Sequence, residues 1–415
     1  MLLRGKQGEA HPHDRLPSPE QSGIEHIVVV MMENRSFDHL LGWLPGARGR
    51  QAGLRFRDAN GVPHRTFALA PTIGFQGCNN LDPDHTWEGG RIQYNNGAMD
   101  GWLRANSDDF AIGYYERRDR PFFNELAVSF TVLDHYFCSI LAETFPNRFF
   151  LHSAQTPVLH NGEVTVAQTI PTIWDRLADA GVSNKYYFSD IPVLALWGSK
   201  YLSISHPHAE FLIDAAAGTL PAVSFVDPRF IGEEQGTTND DHPHADIRAG
   251  DAFLSEVFHA VATGPRWANT VFIITYDEWG GFFDHVRPPR SVAANDVDPP
   301  DDDGEVLLGM RVPVIVASPW TRARHRPRVQ SQLFDHTSIL KLIEWRWGLP
   351  NLTLRDAADS NITNLAHALD FRRPNVEVPD LPRILPPIIG ACPPALLAHD
   401  PWKQLRDSPL MQGWR

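Results

Sequence analysis

Two stretches of the 415-residue sequence set adjacent oxygen-bearing side chains directly behind an apolar run: Glu33-Asn34 after 27–32, and Asp277-Glu278 after 270–276. Such a set of four suits a hard cation, Ca²⁺, Mg²⁺ or Mn²⁺, and is compatible with Zn²⁺. Neighbouring carboxylates raise each other's pKa unless a cation offsets their repulsion, which gives Asp277 and Glu278 a reason to bind one divalent ion. Thr144 opens Thr-Phe-Pro-Asn-Arg ahead of a helical pattern and is expected as its N-cap, with Pro146 tolerated in the first turn. A hydroxyl at a helix start also meets partial positive charge, which favours an alkoxide or a phosphate. Beside a metal that lowers the pKa of a bound hydroxyl, Thr144 completes a site for attack on phosphorus. Loop histidines His85, His242 and one of His206 or His208 could hold phosphate oxygens or protonate a leaving group. Acidic neighbours Asp84 and Asp241 are expected to raise the pKa of His85 and His242. Taken singly, each residue also has a plainer reading, as a turn, a cap or a solvated side chain.

The elements that must position these residues follow from periodicity. The β-branched run at 27–32 reads as a strand buried on both faces, and 270–276 reads likewise. Further strands are expected at 130–137, 185–188, 222–226 and 312–317. Helices are expected at 121–128, from Thr144 onward, and at 171–180, 211–217, 247–261 and 335–347. This alternation predicts an α/β three-layer sandwich with a mainly parallel central sheet. Ligand chemistry in such sheets gathers outside the carboxyl ends of the strands. The Gly-, Asn- and Asp-rich stretch 45–120 exceeds an ordinary connection and is expected to cap the site. Residues 1–22 read as a disordered leader, 23–371 as the catalytic domain and 372–415 as a Pro-rich tail wrapping the surface or disordered. The aromatic, His-rich stretch 197–208 reads as a loop.

A formal net charge of −13 without a basic stripe argues against nucleic-acid binding. No apolar stretch approaches the roughly 18 residues of a membrane span, so stable membrane insertion is not expected. Three scattered cysteines are too few for a disulfide framework or a zinc cage. They read as free thiols of a reducing compartment, with one pairing, Cys78–Cys138, left open. Residues 1–20 lack the apolar core of a signal peptide, and the expected location is the cytoplasm.

Several motifs together resemble the bacterial phosphoesterase family of phosphatidylcholine-type phospholipases C and acid phosphatases. They are Glu-Asn-Arg-Ser-Phe-Asp-His (33–39), Asp-His-Thr-Trp (84–87), Thr-Phe-Pro-Asn-Arg (144–148) and Asp-Glu-Trp-Gly-Gly-Phe-Phe-Asp-His-Val (277–286). Arg-Val-Pro (311–313), Ser-Pro-Trp (318–320) and Asp-His-Thr-Ser (335–338) extend the match to about residue 350. The resemblance implies an alkaline-phosphatase-like fold, with one metal held by Glu33, Asn34, Asp277 and Glu278 beside the nucleophile Thr144. His85 and His242 match the family's phosphate-contacting histidines; His206 and His208 match only loosely, and His285 recurs without an assigned role. The expected activity is phospholipase C-like hydrolysis through a phospho-threonine, with a phosphoester, including phospholipid, as substrate. A broad acid phosphatase is the alternative within the class, and a non-catalytic metal-stabilised binding protein the alternative outside it. Haemolytic members are expected to carry a twin-arginine leader and added carboxy-terminal domains that are not seen here. Soluble phosphoesters or lipid monomers are therefore expected substrates as much as membranes.

Overall fold

The computed structural model describes residues 16–323, 326–393 and 400–414. Most of the expected leader, 1–15, lies outside the described residues; Leu16 already packs against the core and Ser22 is buried. The central sheet is built from β1 (His26–Met32), β2 (Thr131–Leu133), β3 (Asn184–Phe188), β4 (Ser205–Pro207), β5 (Val223–Val226), β6 (Thr270–Tyr276), β7 (Ile315–Ala317) and β8 (Arg328–Gln330). Their spatial order is β8-β2-β7-β6-β1-β5-β3-β4. Only β7 runs antiparallel to its neighbours, β6 and β2; the other pairs are parallel.

Every residue of β1 and of β6 is buried, as continuous apolar runs require when helices cover both faces of a sheet. The helices fall into two packed groups. On one side α3 (Pro121–Ser129) and α6 (His208–Ala217) pack against α7 (Ile247–Ala262). On the other, α4 (Thr144–Ser153) packs against α5 (Ile173–Asp179) and α8 (Thr337–Trp347). The fold is therefore a three-layer α/β sandwich with a mainly parallel sheet. After α1 (Phe37–Leu41), the loop-rich stretch contains one helix, α2 (Trp87–Tyr94), short 3-10 turns and short two-stranded ribbons.

Three expectations are corrected here. Residues 130–137 give only three strand residues, because β2 is a short outer strand between β7 and β8. The stretch 197–208 is not all loop: Ser205–Pro207 pairs with β3 as the edge strand β4, and His208 begins α6. The cysteines are not all free thiols. Cys78 is bonded to Cys392 across 314 residues, whereas Cys138 is buried and free, so the Cys78–Cys138 pairing does not form. The disulfide joins the loop-rich stretch to the tail, and it removes the thiol argument for a reducing compartment. No helix among the described residues is long and apolar enough to cross a membrane.

Candidate active site

The register of β1 against β6 pairs Met32 with Tyr276, so the next residues, Glu33 and Asp277, leave the sheet side by side. Two local hydrogen bonds hold this step: Asp277 N donates to Met32 O (3.1 Å), and Asn34 N donates to Asp277 Oδ1 (3.2 Å). Asn34 turns the chain with φ 44°, a left-handed conformation that Asn tolerates better than most residues. Opposite it, Gly280 has φ +61°, and a Cβ there would lie 2.2 Å from the Asn34 carbonyl oxygen, so only glycine fits. Gly280 N in turn donates to Glu278 Oε2 (2.6 Å). Asp227 follows β5, the other neighbour of β1, and so joins the same sheet end.

Arg148, buried on α4, sits among these carboxylates. Its Nη2 donates to Glu33 Oε1 (2.9 Å), its Nε lies 3.3 Å from Asp277 Oδ2, and its Nη1 lies 3.7 Å from Asp227 Oδ1. One guanidinium cannot satisfy them all. Glu33 Oε2, Asn34 Oδ1, Asp277 Oδ2, Glu278 Oε1, Asp240 Oδ2 and both oxygens of Glu233 are buried without a hydrogen-bond partner among the described residues. Orphaned buried oxygens of this kind are costly unless a cation compensates them. The donor set fits a hard divalent ion. Burial pushes the Asp277 carboxyl up to about 7, with Arg148 opposing and Glu33 adding to the shift. Burial and neighbouring carboxylates likewise lift Glu233, Asp240 and Glu278 well above the ordinary range.

Thr144 is buried and opens α4, but it is the first helical residue and not the N-cap; that position falls to Glu143. Glu143 does not cap with its side chain, because Asn161 N donates to its Oε2 (2.6 Å) and His160 Nδ1 lies 3.1 Å from its Oε1. Thr144 therefore faces a cavity of about 450 Å³, lined also by Asp82, His85, Glu143, His160 and His242, with Pro401 at its edge.

The two histidines are opposites. His85 Nδ1 donates to Pro83 O (2.7 Å), and its Nε2 lies 3.9 Å from Glu278 Oε1. Burial opposes its charge, but Glu278 and Asp82 outweigh it and carry the pKa up to about 10. Burial, the His85 cation, His244 and Arg35 hold His242 well below its ordinary value, so it is neutral. This corrects the expectation that Asp84 and Asp241 raise both. Asp84 Oδ1 accepts from Thr86 N and Oγ1, whereas Asp241, at φ 77°, turns its carboxylate to Tyr276 and Arg120. Arg35 fixes the His242 loop by donating to the carbonyls of Asp241 (2.6 Å) and His242 (3.0 Å).

Glu33, Asn34, Asp277, Glu278, Thr144, His85 and His242 thus converge, and His208 does not. It lies where β4 gives way to α6, paired with Glu256 (3.1 Å), and His206 pairs with Glu210 (3.0 Å). Strand β4 is three strands from β1, roughly 14 Å at ordinary strand spacing, so neither histidine is at the site. His285 belongs to a separate ion cluster with Asp38, Asp284 and Arg311. Trp402 of α9 (Pro401–Asp407) was not anticipated. It is fully buried, stacks on Phe230 (4.1 Å between centroids) and donates Nε1–H to Glu33 Oε1 (3.1 Å). Its only sequence signal is an aromatic residue behind a capping Asp in a Pro-rich tail.

The sequence model described as the Phosphoesterase family matches residues 24–350. The chain belongs to the phosphoesterase family. Among relatives of this phosphoesterase, Phospholipase C A of Mycobacterium tuberculosis is 33% identical over 440 residues, covering 89% of this chain and 81% of that protein. Non-specific phospholipase C1 of Arabidopsis thaliana is 31% identical over 449 residues, covering 99% and 81%. A solved alkaline phosphatase superfamily protein from Vibrio parahaemolyticus matches with a TM-score of 0.42 at 10% identity, covering 84% of this chain and 71% of that one. Trp402 and the Cys392 end of the disulfide lie beyond the stretch matched by the family.

Proposed function

We propose that this phosphoesterase is metal-dependent and of phospholipase C type, cleaving a phosphodiester through a phospho-threonine at Thr144. The observation that carries the reading is Thr144 at the start of α4, facing the cavity beside His85 and a cluster of orphaned carboxylate oxygens. Its relatives named phospholipase C, similar over most of the chain, favour a phosphodiester, and a phospholipid among those.

Asn34, Asp277, Glu278 and Glu33 would hold the divalent ion. Such an ion lowers the pKa of a bound hydroxyl and offsets negative charge on phosphoryl oxygens. Thr144 Oγ1 passes its proton to the neutral His242 and forms a bond to phosphorus as the bond to the leaving alkoxide breaks. The dipole of α4 and Arg148 favour the developing negative charge. His85, held as a cation, delivers its proton to the departing oxygen. Water then attacks phosphorus and gives a proton back to His85, the Thr144 Oγ1–P bond breaks as Oγ1 regains its proton from His242, and the free phosphomonoester leaves. His242, being neutral, supplies a lone pair and not a proton to the first step.

The test compares p-nitrophenyl phosphorylcholine with p-nitrophenyl phosphate, and acid-quenches turnover for phosphopeptide mapping by mass spectrometry. A diester preference and a phosphate-bearing peptide at Thr144 are expected, with Thr144→Ala inactive and Thr144→Ser active. A monoester preference would move the reading to an acid phosphatase. Near-normal rates for Thr144→Ala would remove the covalent step.

A further inference from the structure

We propose that Asn161 is a positioning residue for Thr144, capping α4 from the loop beyond the helix and held there by the Glu143 carboxylate. The inference rests on the nucleophile reading above and adds the residue that leaves the hydroxyl free. A threonine at a helix start ordinarily uses its hydroxyl as the cap, accepting an N–H of the first turn. A nucleophile cannot be engaged in that way. Thr144 stands one residue inside the helix, and among the described residues its Oγ1 makes no hydrogen bond. The capping oxygen comes from 16 positions along the chain: Asn161 Oδ1 accepts from Phe145 N (2.7 Å). Pro146 has no N–H to offer, and Asn147 N donates to Glu143 O over a long 3.4 Å. The Asn161 bond is therefore the only side-chain cap in the first turn of α4 among the described residues.

The exchange is reciprocal. Asn161 N donates to Glu143 Oε2 (2.6 Å), and Glu143 is the residue directly before Thr144. Glu143 Oε1 lies 3.1 Å from His160 Nδ1, so both oxygens of the N-cap residue hold the returning loop and neither caps the helix. Asn161 is buried and lines the same cavity as Thr144. The loop is fixed in turn by Glu163 Oε2, which accepts from Leu159 N (2.9 Å) and His160 N (3.3 Å). From within the helix, Asn147 Nδ2 donates to the carbonyls of Ile140 (3.1 Å), Ala142 (2.8 Å) and Glu143 (3.2 Å). The chain entering α4 is thus clamped by Asn147 on one side and by Asn161 on the other. Uncapped helix ends fray, and a displacement of about 1 Å at a reacting group costs about 10²-fold in rate.

The deciding experiment compares Asn161→Leu, which keeps the size and loses the acceptor, with Asn161→Asp, which keeps an oxygen in the same place. The readout is the first-turnover rate of p-nitrophenol release from p-nitrophenyl phosphorylcholine, as a function of substrate concentration. Asn161→Leu should lower the saturating rate about 10²-fold while half-saturation stays within about twofold of wild type. Asn161→Asp should recover the rate to within about tenfold of wild type, because Asn and Asp are equivalent caps. An unchanged rate in Asn161→Leu overturns the positioning role. So does a fall that Asn161→Asp fails to recover, which marks packing alone, or a higher half-saturation at unchanged rate, which marks a substrate contact. Should circular dichroism show Asn161→Leu unfolded, Glu143→Leu frees Asn161 N and leaves its side chain in place; the same fall is expected there, and a normal rate overturns the role. Thr144→Ala measured alongside keeps the two readings apart. Near-normal turnover in Thr144→Ala removes the nucleophile and its positioning residue together, whereas an inactive Thr144→Ala beside a normal Asn161→Leu removes the positioning role alone.

Discussion

Replacing Trp402 by Phe isolates one hydrogen bond. The indole Nε1–H reaches Glu33 Oε1 at 3.1 Å, while the ring stacks on Phe230 and meets Phe145 edge-on at 5.0 Å. A phenyl ring keeps most of that packing and loses only the donor. Buried hydrogen bonds to charged groups are worth about 1.5–3 kcal/mol. Arg148 still donates to the same oxygen, so the lower end applies, and about 1.5 kcal/mol corresponds to a tenfold change in an equilibrium constant. Partners that orient a metal ligand typically affect metal affinity by about 10–100-fold, which brackets the same figure. Isothermal titration of metal-free Trp402→Phe with Mn²⁺ should therefore show about tenfold weaker binding than wild type. The melting temperature of the metal-free protein should fall as well, by only a few degrees, because the same hydrogen bond is present without metal. If affinity stays within about twofold while the metal-free protein melts lower, Trp402 is packing alone and does not position Glu33. Trp402→Ala would not decide the question, because losing a buried aromatic costs about 3–5 kcal/mol whatever its donor does.

Asp277→Asn should release metal and abolish turnover together; unchanged metal content on elemental analysis would remove Asp277 from the ligand set. His85→Asn should lose about 10²–10⁴ in rate on alkyl leaving groups and much less on p-nitrophenolate, which needs no proton. His85→Asn should also remove the alkaline limb of the kcat/KM profile, and a limb that survives the substitution would assign the proton elsewhere. In metal-free protein, the stability of wild type relative to Asp277→Asn should fall as pH rises from about 4 to about 7. The Asp277 carboxyl has a folded pKa of about 7, above its unfolded value near 3.9, so its stabilising protonated form is fully present below the unfolded value and is lost as pH rises through 7. Buried His152 and His336, held down to about 3 and about 4, are present in both proteins, so their own pH dependence cancels in the difference. A difference that stays flat from about pH 4 to about 7 in EDTA would contradict this, and added Mn²⁺ should stabilise wild type more at pH 8 than at 6.5.

The parts of the site that were legible in sequence are those set by strand register. Two apolar runs of similar length, each ending in a carboxylate, pair so that Glu33 and Asp277 emerge together. A strand's end is a local property, and so is the motif that places Thr144 at a helix start. What the sequence did not reveal depends on where loops fold back. Asp240 sits two residues before His242 in a stretch readable only as turn, and Glu233 lies in an unremarkable polar loop. Their approach to Glu33 follows from the backbone bond between Glu33 and Asp240, which no spacing encodes. The titration of the histidines shows the same divide. Asp241 is next to His242 in the chain, yet its left-handed backbone sends the carboxylate to Arg120, and the charges that reach His242 come from His85, His244 and Arg35. Sequence neighbours fix which charges are present, whereas the fold decides which of them a buried group meets. The tail makes the point over the longest range. With Cys392 bonded to Cys78 and Trp402 buried on Glu33, residues beyond the family-matched stretch help to set which oxygen of a proposed metal ligand is free. The position of Glu33 is thus written in β1, and its free oxygen Oε2 is selected by a residue 369 positions later.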